Sequence, residues 1–152
     1  MVLLRDETVM SWFEKSVVLV PFDFSPESMA AVNVGLAAAT SPSGLHVFHV
    51  LPDLTPTETA LAYCDLPSDQ TRRENTEKAL REQLSKDKYR GVQIAVGFGD
   101  PGQQIVEYAR QIKAELIVLP SHGRTGLKRL LIGSVAERVC RLAHCPVLVL
   151  RS

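Results

Sequence analysis

Five short runs rich in Val, Ile and Leu recur along the chain, separated by longer stretches in which polar and apolar residues are mixed. The runs cover residues 16–21, 45–51, 92–96, 115–119 and 146–150. Continuous apolar runs of this length are typical of strands buried on both faces, and such strands belong to parallel sheets that helices cover on each side. The pattern therefore predicts one α/β domain with a parallel five-stranded sheet.

Helix start signals lie between these runs. The sequences SPES at 25–28 and DPGQ at 100–103 each place a capping side chain before a proline at the first helical position, the second with a capping-box Gln. SVAE at 134–137 predicts a capping box with Ser134 as the N-cap. A fourth helix is expected within the charged segment 68–88. With right-handed crossovers, this order predicts a doubly wound, Rossmann-like sheet with its ligand crevice at the carboxyl ends of the strands.

Composition narrows the classes of partner. The 152 residues carry a net charge of zero, which does not favour a protein that coats nucleic acid or an anionic membrane. No apolar run approaches the roughly 20 residues of a membrane span, and the first residues do not resemble a signal peptide. Three cysteines without a CxxC motif indicate a reducing cytoplasm. We therefore expect a cytoplasmic protein without a nucleic-acid or membrane partner.

A phosphate-binding cradle is predicted after the fourth strand. Ser121-His122-Gly123 ends that strand, nine residues with three cations follow, and Gly133-Ser134 opens the last helix. Glycine lets a main chain approach a ligand closely, and the N-terminus of a helix favours phosphate. The alternative is a plain turn with an N-cap, since the chain has neither a Walker loop nor a GxGxxG fingerprint after the first strand.

Residues 115–139, followed by HCPVLV at 144–149, resemble the signature of the universal stress protein family. PFDFS at 21–25, His49-Val50 and residues 97–105 are similar to further segments of that family, so the resemblance covers nearly all of residues 16–151. It implies an adenine nucleotide alpha hydrolase-like fold with strand order 3-2-1-4-5. Residues 16–152 would then form the universal stress protein domain, and residues 1–15 an N-terminal extension whose Trp12 and Phe13 pack on it.

The ATP-binding branch of that family carries the motif Gly-x2-Gly-x9-Gly-[Ser/Thr]. Gly123, Gly133 and Ser134 match it, whereas Pro120 replaces the first glycine. Proline has no N–H and a fixed φ, so a contact that needs either is lost, while a contact to its carbonyl survives. The resemblance thus implies ATP as the ligand, with or without Mg²⁺.

The resemblance also assigns the contacts of the nucleotide. The ends of the first two strands would meet the base and ribose, the segment after the fourth strand would form the opposite wall and the phosphate loop, and the start of the last helix would hold the phosphates. In that order the residues are Pro21, Phe22, Asp23 and Val50; Leu119, Pro120, Ser121, His122, Gly123 and Arg124; and Gly133, Ser134 and Val135. Asp23 could equally be a turn residue that bonds its own backbone. His122 is interpreted as fixing the loop.

Other candidate chemistry is weaker. Cys140, His144 and Cys145 superficially suggest a metal site but lack a fourth ligand, so no metal is predicted. His46 and His49 alternate with apolar residues, which indicates structural positions. Neither a nucleophile elbow nor paired carboxylates stand out, so no catalytic residue is assigned.

Three functions remain open. The first is a cytoplasmic ATP-binding stress or regulatory protein, the second a nucleotide-free dimeric interaction protein on the same fold, and the third a slow ATP hydrolase or adenylate-handling enzyme. In either of the first two, the resemblance implies a homodimer through the strand at 146–150, whose long apolar edge would serve as a pairing template. The alternative is that residues 1–15 cover this edge.

Overall fold

The computed structural model describes residues 14–54, 67–121 and 133–151. The strands are β1 (Val18–Pro21), β2 (Leu45–Leu51), β3 (Gln93–Phe98), β4 (Leu116–Pro120) and β5 (Val147–Leu150). The helices are α1 (Pro26–Ala38), α2 (Asp69–Gln83), α3 (Pro101–Gln111) and α4 (Ser134–Leu142), with short 3-10 helices at Pro42–Gly44 and Asp87–Tyr89. All strand pairs are parallel, in the order β3-β2-β1-β4-β5. The predicted fold class and strand order are confirmed.

Two hydrophobic layers cover the sheet, one on each face. Val18 and Val20 of β1 pack on one side with Val32 of α1 and Leu80 of α2. Leu19 lies on the opposite side, where residues of α3 and α4 surround it. These three residues of β1 are fully buried, because this part of the central strand has no face toward water. This is why its sequence is a continuous apolar run rather than an alternating one.

The helix caps agree only in part with the sequence. Ser25 and Asp100 cap α1 and α3 as predicted, accepting hydrogen bonds from Ser28 N–H (3.1 Å) and Gln103 N–H (2.9 Å). The capping-box role of Gln103 is wrong, because its side-chain amide donates to Glu107 at 2.8 Å instead. The box at 134–137 is also wrong, since the N-cap of α4 is Gly133, which makes no side-chain cap.

Of the predicted N-terminal extension, only residues 14 and 15 lie within the described ranges. Lys15 N–H donates to Ala38 C=O at 2.8 Å, and Thr40 N–H donates to Lys15 C=O at 3.0 Å. Trp12 and Phe13 lie outside the described residues, so the division into an extension and a domain stays a prediction. Within the described ranges, no helix combines the length and the apolar character that crossing a membrane requires.

Candidate functional site

A cavity of about 490 Å³ opens at the carboxyl edge of the sheet. Ten of the thirteen predicted site residues line it: Pro21, Phe22, Asp23, Val50, Leu119, Pro120, Ser121, Gly133, Ser134 and Val135. The other three, His122, Gly123 and Arg124, lie outside the described residues. Residues that are more than a hundred positions apart in sequence therefore meet in one cavity. That they contact a nucleotide remains a prediction.

The cavity forms because the central strand is shorter than its neighbours. Pairing of β1 with β2 ends at Pro21 and Phe48, and pairing with β4 ends at Leu19 and Ile117. Both neighbours continue beyond these points, β2 to Leu51 and β4 to Pro120. The space above the end of β1 is left as a crevice, as expected where a doubly wound sheet changes direction.

One end of the cavity is the start of α4. Gly133 N–H donates to Ser121 C=O at 2.8 Å, and Gly133 C=O accepts the first helical bond from Glu137 N–H at 2.8 Å. The N–H groups of the next three residues consequently have no acceptor within the helix. All three of these residues, Ser134, Val135 and Ala136, line the cavity. This end is therefore suited to an anion, with the positive end of the helix dipole behind it.

Steric crowding favours glycine at position 133. A Cβ atom there would lie 3.2 Å from the carbonyl oxygen of Ser121, tighter than most such contacts. Its φ of −57° and ψ of 152° are open to any residue, so the constraint comes from the close approach of the two chain segments. Ser134, as the first helical residue, does not use its hydroxyl as the N-cap.

A salt bridge joins the starts of α3 and α4. Arg138 lies 2.6 Å from Asp100, and Gly102 makes room for it, because a Cβ there would lie 2.6 Å from Arg138 Cδ. The Gln103 N–H and then the Arg138 guanidinium lower the pKa of Asp100. The two helix starts that border the cavity are thus tied to each other.

The turn after β1 fixes Asp23. Its Oδ1 accepts a hydrogen bond from Ser25 N–H at 3.0 Å and another from the Ser25 hydroxyl, which confirms the interpretation as an Asx-type turn. Asp23 also lines the cavity, so the same carboxylate lies within reach of a ligand. The next residue, Phe24, has a φ of 65°, a left-handed conformation that is rare for a bulky side chain.

Sequence reasoning missed a further set of residues that line the cavity. They are Ser28, Phe48, His49, Leu51, Pro52, Pro101, Ile105 and Ala136. Most are indistinguishable in sequence from ordinary core residues. Pro101 carried a usable signal, because it begins a helix whose N-terminus must lie at this edge of the sheet.

Phe48, one of the residues that the sequence did not indicate, forms an aromatic wall of the cavity. The Phe48 ring stacks on Tyr108 with 4.3 Å between ring centroids. Gly97 on β3 leaves the space for it, since a Cβ there would lie 2.6 Å from Phe48 Cζ. His46 Nδ1 lies 3.1 Å from the Tyr108 hydroxyl, and burial lowers the pKa of His46. His46 therefore has the structural role that was predicted for it.

Helix α2 supports the outer wall of the cavity. Arg72 donates to Pro52 C=O at 2.6 Å, and its guanidinium lies 5.2 Å from the centroid of the Phe98 ring. The Arg72 side chain is only 11% exposed, so this charged group is largely enclosed between the helix and the sheet edge. In the part of the chain that the structure describes, no cluster of His, Cys, Asp and Glu could hold a metal ion.

Comparison with known proteins agrees with this architecture. The sequence profile described as "Universal stress protein family" matches residues 16–151. The universal stress protein YxiE of Bacillus subtilis is 30% identical over 148 residues, which cover 91% of this chain and 99% of that protein. Universal stress protein MJ0531 of Methanocaldococcus jannaschii is 46% identical over 81 residues, 52% of this chain and 48% of its own length. The chain thus spans about half the length of several curated relatives that it matches.

Solved structures share the fold. Protein MJ0577 of Methanocaldococcus jannaschii has a TM-score of 0.68 and 26% identity, covering 90% of this chain and 96% of that one. A universal stress protein whose structure was solved in complex with cAMP has a TM-score of 0.61 and 23% identity, covering 90% and 96%. The family profile spans nearly the whole described domain, and one relative aligns along almost its full length. The chain belongs to the universal stress protein family.

Proposed function

We propose that this chain is a stress-response or regulatory protein that binds an adenine nucleotide, ATP by its motif, in the cavity at the carboxyl edge of its sheet. The observation that carries the proposal is the meeting of ten predicted contact residues in that cavity. The anion-suited start of α4 forms one end of the cavity. Pro21, Phe22 and Val50 offer an apolar surface for a base at the other end. A structural relative was solved with cAMP, which is itself an adenine nucleotide.

A binding role fits the cavity better than an enzymatic one. Among its described lining residues, Asp23 is the only carboxylate, and it already accepts hydrogen bonds from Ser25. The relatives are named as stress proteins rather than as enzymes. If Mg²⁺ accompanies the nucleotide, the phosphates would supply most of its ligands, as is usual for this ion. We also propose a cytoplasmic location, with which the free thiols of Cys140 and Cys145 agree.

The test is to identify the ligand and then to measure its affinity. Mass spectrometry of the material released from the purified protein should detect an adenine nucleotide. Titration calorimetry of the ligand-free protein should show binding of ATP and markedly weaker binding of GTP. If no nucleotide is released and none binds at millimolar concentration, the nucleotide-free interaction protein becomes the better account. Pro120 is the residue that favours this second function.

Pro120 gives a separate prediction. Ile117 N–H and Ser121 N–H both donate to residues next to or within β5, so residue 120 faces the opposite side, where β1 has ended. Its nitrogen carries no proton. We expect Pro120→Gly to restore a donor there and to strengthen ATP binding several-fold at most, because one hydrogen bond contributes about 0.5–1.5 kcal/mol.

Calorimetry on Pro120→Gly checks this prediction, and thermal melting should be measured alongside because glycine adds backbone freedom. If the variant binds ATP more weakly while its melting temperature is preserved, the proline ring is a productive wall of the site. In that case the absence of an N–H at Pro120 does not weaken ATP binding.

A further inference from the structure

The main-chain groups of β2 alternate between its two neighbouring strands. Phe48 C=O accepts from Phe22 N–H at 2.8 Å on the β1 side, whereas Leu51 C=O accepts from Gly99 N–H at 2.9 Å on the β3 side. Consecutive residues of a strand direct their N–H and C=O groups to opposite edges. Val50 therefore faces the β1 side, as Phe48 does. It stands just beyond the end of β1 and lines the cavity.

A regular parallel ladder would continue here by one more bond. Phe22 N–H already donates to Phe48, so the next bond would run from Val50 N–H to Phe22 C=O. The pairing of the two strands ends instead at Pro21 and Phe48. The Phe22 carbonyl accepts from His49, whose Nδ1 lies 2.6 Å away. Because a carbonyl can only accept, Nδ1 carries the proton in this contact.

The imidazole of His49 is held in place by the turn that follows β1. The Phe24 ring meets it edge-on, with 5.1 Å between centroids and 69° between planes. Phe24 also meets Phe22 edge-on at 5.2 Å. Phe24 itself has a positive φ of 65°. Such a conformation persists for a bulky residue only where its surroundings fix it, so the packing around His49 is a built feature.

We propose that His49 is a positioning residue that occupies the Phe22 carbonyl, stops the β1–β2 ladder one bond early and leaves the N–H and C=O of Val50 facing the base of the nucleotide. This inference rests on the proposed function. A strand residue directs its own N–H donor and C=O acceptor to the same edge of the strand. Adenine presents a ring-nitrogen acceptor beside an amino donor, whereas guanine presents two adjacent acceptors on the corresponding edge. A Val50 residue whose N–H and C=O are both open to the cavity would therefore suit adenine better than guanine.

The decisive variant is His49→Phe, which keeps a ring beside Phe24 but has no donor. Without ligand, the Val50 amide should exchange its hydrogen at least about tenfold more slowly than in the unsubstituted protein, because it can now bond the Phe22 carbonyl. Affinity for ATP should fall about fivefold to tenfold, the effect of one hydrogen bond. Two-dimensional NMR exchange measurements and calorimetry give the two readouts.

Two matched variants separate positioning from packing. His49→Asn places an N–H close to the position of the histidine Nδ1, and it should keep both the exchange rate and the affinity near those of the unsubstituted protein. His46→Phe lies on the same strand but loses a contact to Tyr108 instead, and it should leave Val50 exchange unchanged.

Slow exchange of Val50 in the free, unsubstituted protein would overturn the proposal. So would unchanged Val50 exchange in His49→Phe, or an equal loss of affinity in His49→Phe and His49→Asn. A chain that binds no nucleotide at all would overturn the proposed function instead. The exchange comparison needs no ligand, so the two failures can be told apart.

Discussion

Replacing Gly133 with valine should lower the affinity for ATP by at least about 100-fold while the domain stays folded. The backbone angles at this position are open to valine, but its Cβ would press on the Ser121 carbonyl at 3.2 Å. Its methyl groups would extend into the space where phosphate is expected to meet the first turn of α4. Each charge-assisted hydrogen bond contributes about 1.5–3 kcal/mol, so losing two accounts for the expected effect.

Calorimetry measures this loss, and circular dichroism melting shows whether the fold persists. Ser134→Ala is the matched control, because it removes a hydroxyl from the same turn and keeps every helical N–H. It should weaken ATP binding only several-fold. If Gly133→Val binds ATP as tightly as the unsubstituted chain, the phosphates do not lie at the start of α4, and the predicted cradle is wrong.

The second large effect concerns the open edge of β5, where we propose a homodimer. Ile117 N–H donates to Pro146 C=O at 3.0 Å, and Ser121 N–H donates to Leu150 C=O at 2.8 Å. Consecutive residues of a strand direct their N–H and C=O groups to opposite edges, so those of Val147 and Val149 point away from β4. Leu148 is 41% exposed. An apolar edge with outward-facing donors and no charge along it is a template for pairing with a second copy.

Val149→Pro should convert the dimer to a monomer without disturbing the β4–β5 ladder, because the lost N–H faces outward. The change occurs twice in a symmetric interface. Two lost hydrogen bonds of about 1 kcal/mol each raise the dissociation constant at least about 30-fold. Val149→Lys should act in the same direction through its charge. Light scattering across micromolar concentrations should report twice the chain mass for the unsubstituted protein and a shift toward one chain mass for both variants.

Leu54→Lys serves as the control for surface charge. Leu54 is 44% exposed but follows β2, three strands away from β5, and this variant should stay dimeric. An unsubstituted chain that is monomeric over the whole range would refute the interface. Covering of the edge by residues 1–15 would then be the better explanation.

The fold was predictable because apolar runs mark all five strands, and burial on both faces makes the run of the central strand continuous. Residues 18–20 admit no polar side chain, and the lengths of the intervening segments leave room for one helix each. The caps were less predictable. Glycine and serine are both common at an N-cap, so the choice between Gly133 and Ser134 depended on which carbonyl accepts from Glu137. A local sequence does not contain that information.

In the candidate site, too, some residues could be predicted from the sequence and others could not. Residues at strand and helix ends could be placed in it, since topology brings those ends to one edge of the sheet. The role of His49 could not be foreseen, because its partner Phe22 is 27 positions away and the contact depends on where β1 stops. Phe48 was missed for a similar reason. Its position on the cavity wall depends on the space that Gly97 leaves on the next strand.

The hydrogen bond between Ser121 and Gly133 has a consequence for how this chain can change. It holds the two ends of the segment 122–132 together at 2.8 Å. A segment with fixed ends can lengthen at little thermodynamic cost, about 0.6 kcal/mol for a doubling of its length. Insertions or exchanges between these two residues need not disturb the sheet or the start of α4. Engineered exchanges of this segment are therefore expected to alter the phosphate loop, and with it the choice of ligand, while the scaffold is kept.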